Sequence, residues 1–247
     1  ISYSFATGCR RTVIVTVAPL PPAITGSATV CTGRTTTLAN TSAGGTWSSS
    51  NTAVGTVVTT TGVVTGLTVG TTNIVYTIGT GCSASRVVTV IASPAIITGT
   101  PTVCIGQTTA LTNTTAGGTW SSSNTAAGTI DAAGVVTGIA AGTTTISYVT
   151  ANGCFETLTV TVNNLPSVIT GGTTVCENST TTLSSTPPGG TWSSSTPATG
   201  TVNGGGVVTG LSAGTTTITY TSAAGCIRTT VVTVNARPAA FTPTTNA

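Results

Sequence analysis

Charge is nearly missing from this chain. Of 247 residues six are basic and three acidic, 4% in all, where ordinary soluble domains carry roughly 25%. Lysine, histidine and methionine do not occur. Nucleophilic and acid–base catalysis need a nucleophile beside a base that a third group orients; serine and threonine abound, but no histidine or lysine stands ready to activate them. Asp131, Glu156 and Glu177 do not correspond in position when the chain is aligned on itself, so no paired-carboxylate site recurs. The expectation is a protein that is not an enzyme, with no catalytic residue and no cofactor-binding site. Six scattered arginines form no basic cluster of the kind nucleic acid requires, and nucleic acid is not an expected partner. Long apolar runs are missing too. Mean hydropathy is +0.43, yet Thr, Gly and Ser interrupt every apolar stretch well short of the roughly 20 residues of a spanning helix. This segment is not expected to span a membrane. Without His or Cys-x-x-Cys, and with hardly any carboxylate, zinc and calcium lack their usual ligands. Gly204-Gly205-Gly206 has no following lysine and reads as a turn, not a phosphate loop.

What the chain does contain is repetition. Gly-Thr-Trp-Ser-Ser-Ser is written three times, around Trp47, Trp120 and Trp192, and Tyr3, Tyr76, Tyr148 and Tyr220 keep the same beat, as do Pro21, Pro94, Pro166 and Pro238. A fixed period of about 72 residues means that one small structure is used several times. Three complete repeats are expected at 20–92, 93–163 and 164–235. Residues 1–19 correspond to the C-terminal part of a preceding repeat, and 236–247 to the start of a following one.

Within a repeat the period is two. Ile146 and Tyr148 share a face of Thr143 to Tyr148, and aliphatics alternate with Thr from Thr157 to Val162. Both segments read as half-buried strands. Thr and Val, β-branched and stiff at χ1, favour strand over helix. Leu38, Leu111 and Leu183 each stand nine residues before the repeat's tryptophan, which places them on a neighbouring strand. Counting an opening segment from Ile96 to Val103, each unit has about seven strands with the Trp on the third, the pattern of an immunoglobulin-like sandwich. Trp47, Trp120, Trp192, Tyr76, Tyr148, Tyr220, Leu38, Leu111 and Leu183 are the expected core; ligand stacking by the tryptophans is the alternative.

Trp120 to Asn124 (Trp-Ser-Ser-Ser-Asn), Gly134 to Gly138 (Gly-Val-Val-Thr-Gly) and Ala141 to Ile146 (Ala-Gly-Thr-Thr-Thr-Ile) resemble the bacterial Ig-like domains of the intimin and invasin type, and all three repeats share the resemblance. The cysteine-bearing, Thr-rich variety looks most like the long arrays in giant cell-surface proteins of Bacteroidota, gliding adhesins among them. The resemblance implies an all-β tandem array, secretion to the cell surface, and a stalk or filament that presents a distal binding region whose ligand is not legible here. Two other functions stay open: a self-assembling fibre or sheath, whose uncharged sheet faces meet laterally, and a module whose Thr-rich faces bind glycan or ice. The expected partners are thus neighbouring repeats of the same chain, with lateral copies of itself under the fibre reading.

Cysteine completes the pattern. Cys31, Cys104 and Cys176 precede the second strand, while Cys9, Cys82, Cys154 and Cys226 each lie six residues after the repeat's tyrosine, in the last hairpin turn. Small extracellular units with marginal cores use disulfides. In an up-and-down sandwich these two turns are separated by five strand crossings and lie at opposite ends. An eight-residue strand spans about 26 Å, whereas bridged Cα atoms lie within about 7 Å. That reasoning pairs Cys31 with Cys154 and Cys104 with Cys226, between consecutive repeats, and sends Cys9, Cys82 and Cys176 to partners outside this window. A strand count wrong by one reverses the parity, so pairing within a repeat, such as Cys31 with Cys82, stays open, as do free thiols and bonds between chains. Asn40, Asn113 and Asn178 open glycosylation sequons of the kind that arise easily in a Thr-rich sequence, and the arginines read as solvated strand residues.

Overall fold

The computed structural model describes residues 1–238; 239–247, most of the segment expected to open a further repeat, lie outside the described residues. The described residues form strands and turns and contain no helix. Two compact units result, one of Ile1–Ala95 with Thr150–Phe155, the other of Ile96–Val149 with the chain from Glu156 onward.

The first unit opens with a hairpin of β1 (Ser2–Ser4) and β2 (Arg10–Thr12). A sandwich follows, built from β3 (Thr29–Cys31), β4 (Thr35–Thr37), β5 (Thr46–Ser49), β6 (Gly55–Val57), β7 (Val63–Gly66), β8 (Gly70–Thr77) and β9 (Ser83–Ile91). Its sheets run β3-β9-β8-β5 and β4-β7-β6, and a bridge from Thr25 to Ala39 extends the smaller one. In the second unit the middle repeat contributes β10 (Thr98–Gly99), β11 (Thr102–Cys104), β12 (Thr108–Thr112), β13 (Thr119–Ser122), β14 (Gly128–Ile130), β15 (Val135–Gly138), β16 (Gly142–Val149) and β17 (Phe155–Asn163). The third repeat supplies β18 (Thr170–Gly171), β19 (Thr174–Cys176), β20 (Thr180–Ser184), β21 (Thr191–Ser194), β22 (Gly200–Val202), β23 (Val207–Gly210), β24 (Gly214–Thr221) and β25 (Ile227–Asn235).

The middle repeat's sheets run β10-β12-β15-β14 and β11-β17-β16-β13, and the third repeat's follow the same scheme. With the opening segment counted once, strands one, two, five and four form one sheet and three, six and seven the other. That is the immunoglobulin-like arrangement. Two features differ from the sequence reading. The chain is not up-and-down, because it crosses between sheets on either side of β13. And the opening segment is two strands: β10 pairs antiparallel with β12, while β11 pairs parallel with β17. Gly99 makes the switch, at φ 128°, where a side chain would also meet the Ala110 carbonyl at 2.5 Å; only glycine tolerates both.

Alternation then builds the core. On β16, Thr144, Ile146 and Tyr148 point inward, and Val136, Ile146 and Val160 are fully buried against Leu111. Each such aliphatic contributes about 1.5–3 kcal/mol relative to exposure. Leu38 and Leu183 occupy the same place in their own cores, as do Tyr76 and Tyr220. Trp47 is buried, whereas Trp120 and Trp192 are half-buried and pack on the core's edge.

The threefold motif now has a physical account. Trp120 pairs across the ladder with Tyr148, ring centroids 4.7 Å apart and tilted by 58°, an aromatic pairing that adds to simple burial. The Tyr148 hydroxyl accepts from the Gly118 amide at 2.9 Å and donates to the Thr115 carbonyl at 2.5 Å. Gly118 is glycine because a Cβ there would run into the Tyr148 ring. Ser122 donates to the Gly128 carbonyl at 2.6 Å and meets the hydroxyl of buried Thr144 at 2.7 Å, and that hydroxyl also receives the Asn124 amide at 3.1 Å. A buried hydroxyl must be hydrogen-bonded; Ser49 with Thr72 and Ser194 with Thr216 repeat the arrangement.

Candidate functional site

The cysteines sit where strand direction puts them. Cys104 ends β11 and stands opposite Asn163, the last residue of β17. Cys154 immediately precedes Phe155, the first residue of that strand. Nine residues of strand, roughly 30 Å at ~3.3 Å each, therefore separate the two cysteines of one repeat, far beyond disulfide reach. Crossing between sheets changes a strand's neighbours but not the reversal of direction at each connection, so this separation survives the corrected topology.

The structure bonds Cys31 to Cys154, Cα atoms 5.8 Å apart, and Cys104 to Cys226, 5.7 Å apart. In each bond one sulfur comes from the end of an opening strand and the other from the last hairpin turn of the next repeat. Cys9 and Cys176 are exposed free thiols, and Cys82 is a half-buried one. The turn that carries Cys154 is closed by the Thr150 amide donating to the Cys154 carbonyl at 2.9 Å, and by the Gly153 amide donating to the Thr150 carbonyl at 2.9 Å. The Cys226 turn has the same two bonds through Ser222 and Gly225. Cys154 and Cys226 are themselves almost wholly buried.

Around the first bond, the Arg34 guanidinium lies 4.6 Å from the Phe155 ring centre and donates to the Phe155 carbonyl at 3.3 Å. Such a cation–π contact adds about 0.5–1 kcal/mol at an exposed site. Spacing did not reveal this pair, although Arg34 is three residues after Cys31 and Phe155 directly follows Cys154. At the second bond the corresponding residues are Gln107 and Ile227, which with Cys104, Leu165 and Arg228 line a cavity of about 440 Å³. The free Cys82 occupies the setting of bonded Cys226: its sulfur is 3.9 Å from the Ala18 carbonyl, as that of Cys226 is 4.0 Å from the Asn163 carbonyl.

Four further charged side chains bond to the backbone. Arg86 donates to the Ile24 carbonyl at 2.6 Å and Arg228 to the Pro166 carbonyl at 3.0 Å, so these two arginines are half-buried ties to the preceding segment and not the solvated side chains expected. Asp131 accepts from the Ala133 and Val135 amides, both at 2.9 Å, and closes a turn. Glu177 accepts from the Ala213 amide at 2.8 Å. Asn40, first of the sequons, has its side-chain nitrogen committed to the Pro22 carbonyl at 2.6 Å. Among the described residues no three His, Cys, Asp or Glu side chains gather as a metal-binding group, and no helix is long and apolar enough to cross a membrane.

Sheet order, buried alternation and recurrence at one period define an all-β tandem array of immunoglobulin-like sandwiches. Residues 154–234 match the model of the bacterial Ig-like domain (group 2) family. No curated protein matches the chain. Among solved structures, invasin, a bacterial integrin-binding protein, is similar at 16% identity over 92% of this chain and 63% of its own, with a TM-score of 0.40. A C-terminal fragment of intimin, solved with the intimin-binding domain of its translocated receptor, matches at 20% identity over 62% of this chain and 67% of the fragment, TM-score 0.35. Domains 1–6 of surface layer protein SbsC match at 18% identity, TM-score 0.29; 89% of this chain is covered but only 41% of that one, so the chain spans less than half its length.

Proposed function

We propose that this chain is a non-enzymatic stalk segment of a secreted bacterial surface adhesin, of the giant Thr-rich kind found on gliding Bacteroidota, which holds a distal binding region away from the cell. The observation that carries the reading is the bonding of each opening-strand cysteine to the last hairpin turn of the next repeat. Such bonds persist in oxidising, extracellular surroundings, and they join consecutive units without preparing any surface for chemistry. Antibody against the repeats is expected to label intact cells of the producing organism. Labelling that needs permeabilised cells would remove the surface assignment.

The outward face of β24 and β25 favours a second reading. Thr215, Thr217, Thr219 and Thr221 stand opposite Thr233, Val231, Thr229 and Ile227, an uncharged and regular surface on which copies of the chain, glycan or ice could lie. Sedimentation velocity separates these: a stalk segment stays monomeric at micromolar concentration, and a fibre former associates. Retention on a glycan array or altered ice growth by the monomer would instead favour the binding module.

A further inference from the structure

The two disulfides interleave. Cys31 and Cys154 close a loop over a separation of 123 residues and Cys104 and Cys226 one of 122, and each loop contains one end of the other. A polypeptide closed in this way has covalent routes far shorter than its sequence. From Cys82 to Cys226 the chain could draw out to roughly 500 Å at ~3.5 Å per residue, but the stretch from Cys82 to Cys104 plus one S–S bond joins the same two points within roughly 80 Å. A second route of the same kind runs from Cys31 across to Cys154 and along the chain to Cys176. The two routes are staggered by one repeat.

Both routes are made largely of chain that is already extended. The first follows β9, β10 and β11, and the second follows β17, β18 and β19; strand rises ~3.3 Å per residue, close to the limit for a peptide, so little slack is stored in them. The remaining strands of each sandwich, β12 to β16 in the middle repeat, lie off these two routes.

We infer that this bonding pattern gives the chain a mechanical function, that of a load-bearing tether with a covalent limit on its extension. Tension passes through sulfur as well as along the chain, so a sandwich that opens under load releases only a fraction of its sequence. Thiol reductant removes the limit. The tether rests on the same bonding pattern as the proposed function, but force–extension reads sulfur connectivity whereas labelling of intact cells reads location, so the two fail by different outcomes.

The test is force–extension measurement on the full 247-residue chain, held by its two ends, with Cys9, Cys82 and Cys176 replaced by Ser so that Cys31, Cys104, Cys154 and Cys226 are the only sulfurs left to pair. The shortest covalent route from end to end runs from the start to Cys31, across to Cys154, back along the middle repeat to Cys104, across to Cys226 and on to the end; it contains about 100 peptide units, so the oxidised chain should stop lengthening near ~350 Å at ~3.5 Å per residue. After dithiothreitol, which is oxidised to its cyclic disulfide as each protein disulfide becomes two thiols, the same molecule should reach ~860 Å, about 2.5-fold further. The reading is independent of sandwich stability, because an unfolded but bonded chain meets the same ceiling. An oxidised ceiling near ~690 Å, that of a single Cys104–Cys154 bond within one repeat, or full extension without reductant, would overturn the inference.

Discussion

Thr144 shows how much one hydroxyl can hold. It is 2% exposed, and its oxygen joins Ser122 to the Asn124 amide. Thr144→Val keeps the shape and leaves that amide without its acceptor, while Ser122 keeps only its bond to the Gly128 carbonyl, which costs about 1–3 kcal/mol. The expected result is faster hydrogen exchange at the Asn124 amide with the sandwich still folded; unchanged exchange would show that the network contributes nothing. The tryptophans should not behave alike. Trp47→Ala is expected to cost about 3–5 kcal/mol, and Trp120→Ala less, about 2–3, because Trp120 keeps one edge in solvent. Exchange protection of core amides in the respective repeats measures both, since three linked sandwiches need not unfold in a single step. A loss below about 1 kcal/mol at Trp120 would take it out of the core.

At the level of elements, the decisive event is the switch of the opening segment from one sheet to the other. Ile97 belongs to the half that follows β12 and Val103 to the half that follows β17; both are buried. The switch is what brings Cys104 to the far end of β17 from Cys154. Ile-Thr-Gly, written at Gly26, Gly99 and Gly171, was the available signal, since a glycine inside a strand pattern marks a break or a close backbone approach. Periodicity alone does not report it: the segment is apolar at intervals that also fit one continuous strand. Gly99→Ala is expected to destabilise the middle repeat by more than about 2 kcal/mol, from positive φ and overlap with a backbone carbonyl together. The check is weakened exchange protection of the middle repeat's core amides; protection equal to the parent's would mean that the switch does not need glycine.

For the molecule as a whole, the disulfides act between repeats. Loop-closure entropy assigns about 4–5 kcal/mol to a loop of the order of 100 residues, but each sandwich keeps its own core, so that stabilisation belongs to the association of consecutive repeats. Cys226→Ser is therefore expected to leave strand amides such as Ile218 and Val232 protected while the turn at 222–226 exchanges freely. Loss of protection throughout the third repeat would show instead that the bond holds the sandwich together.

The sequence by itself determined the repeat, the all-β character and the scarcity of charge, because these follow from local pattern and composition: period-two alternation, β-branched residues, and the lack of histidine and lysine. The glycine of Gly-Thr-Trp and the serine that closes the buried network were legible as a motif but not as a mechanism, since Tyr148 and Thr144 meet them from about 20 to 30 residues away along the chain. Sequence spacing favoured pairing between repeats and left pairing within a repeat, free thiols and bonds between chains open. Only tertiary structure decided which sulfurs meet, and that Arg34 meets Phe155, because disulfide and cation–π contacts act over a few ångströms between segments more than 100 residues apart, a distance over which no local pattern carries information.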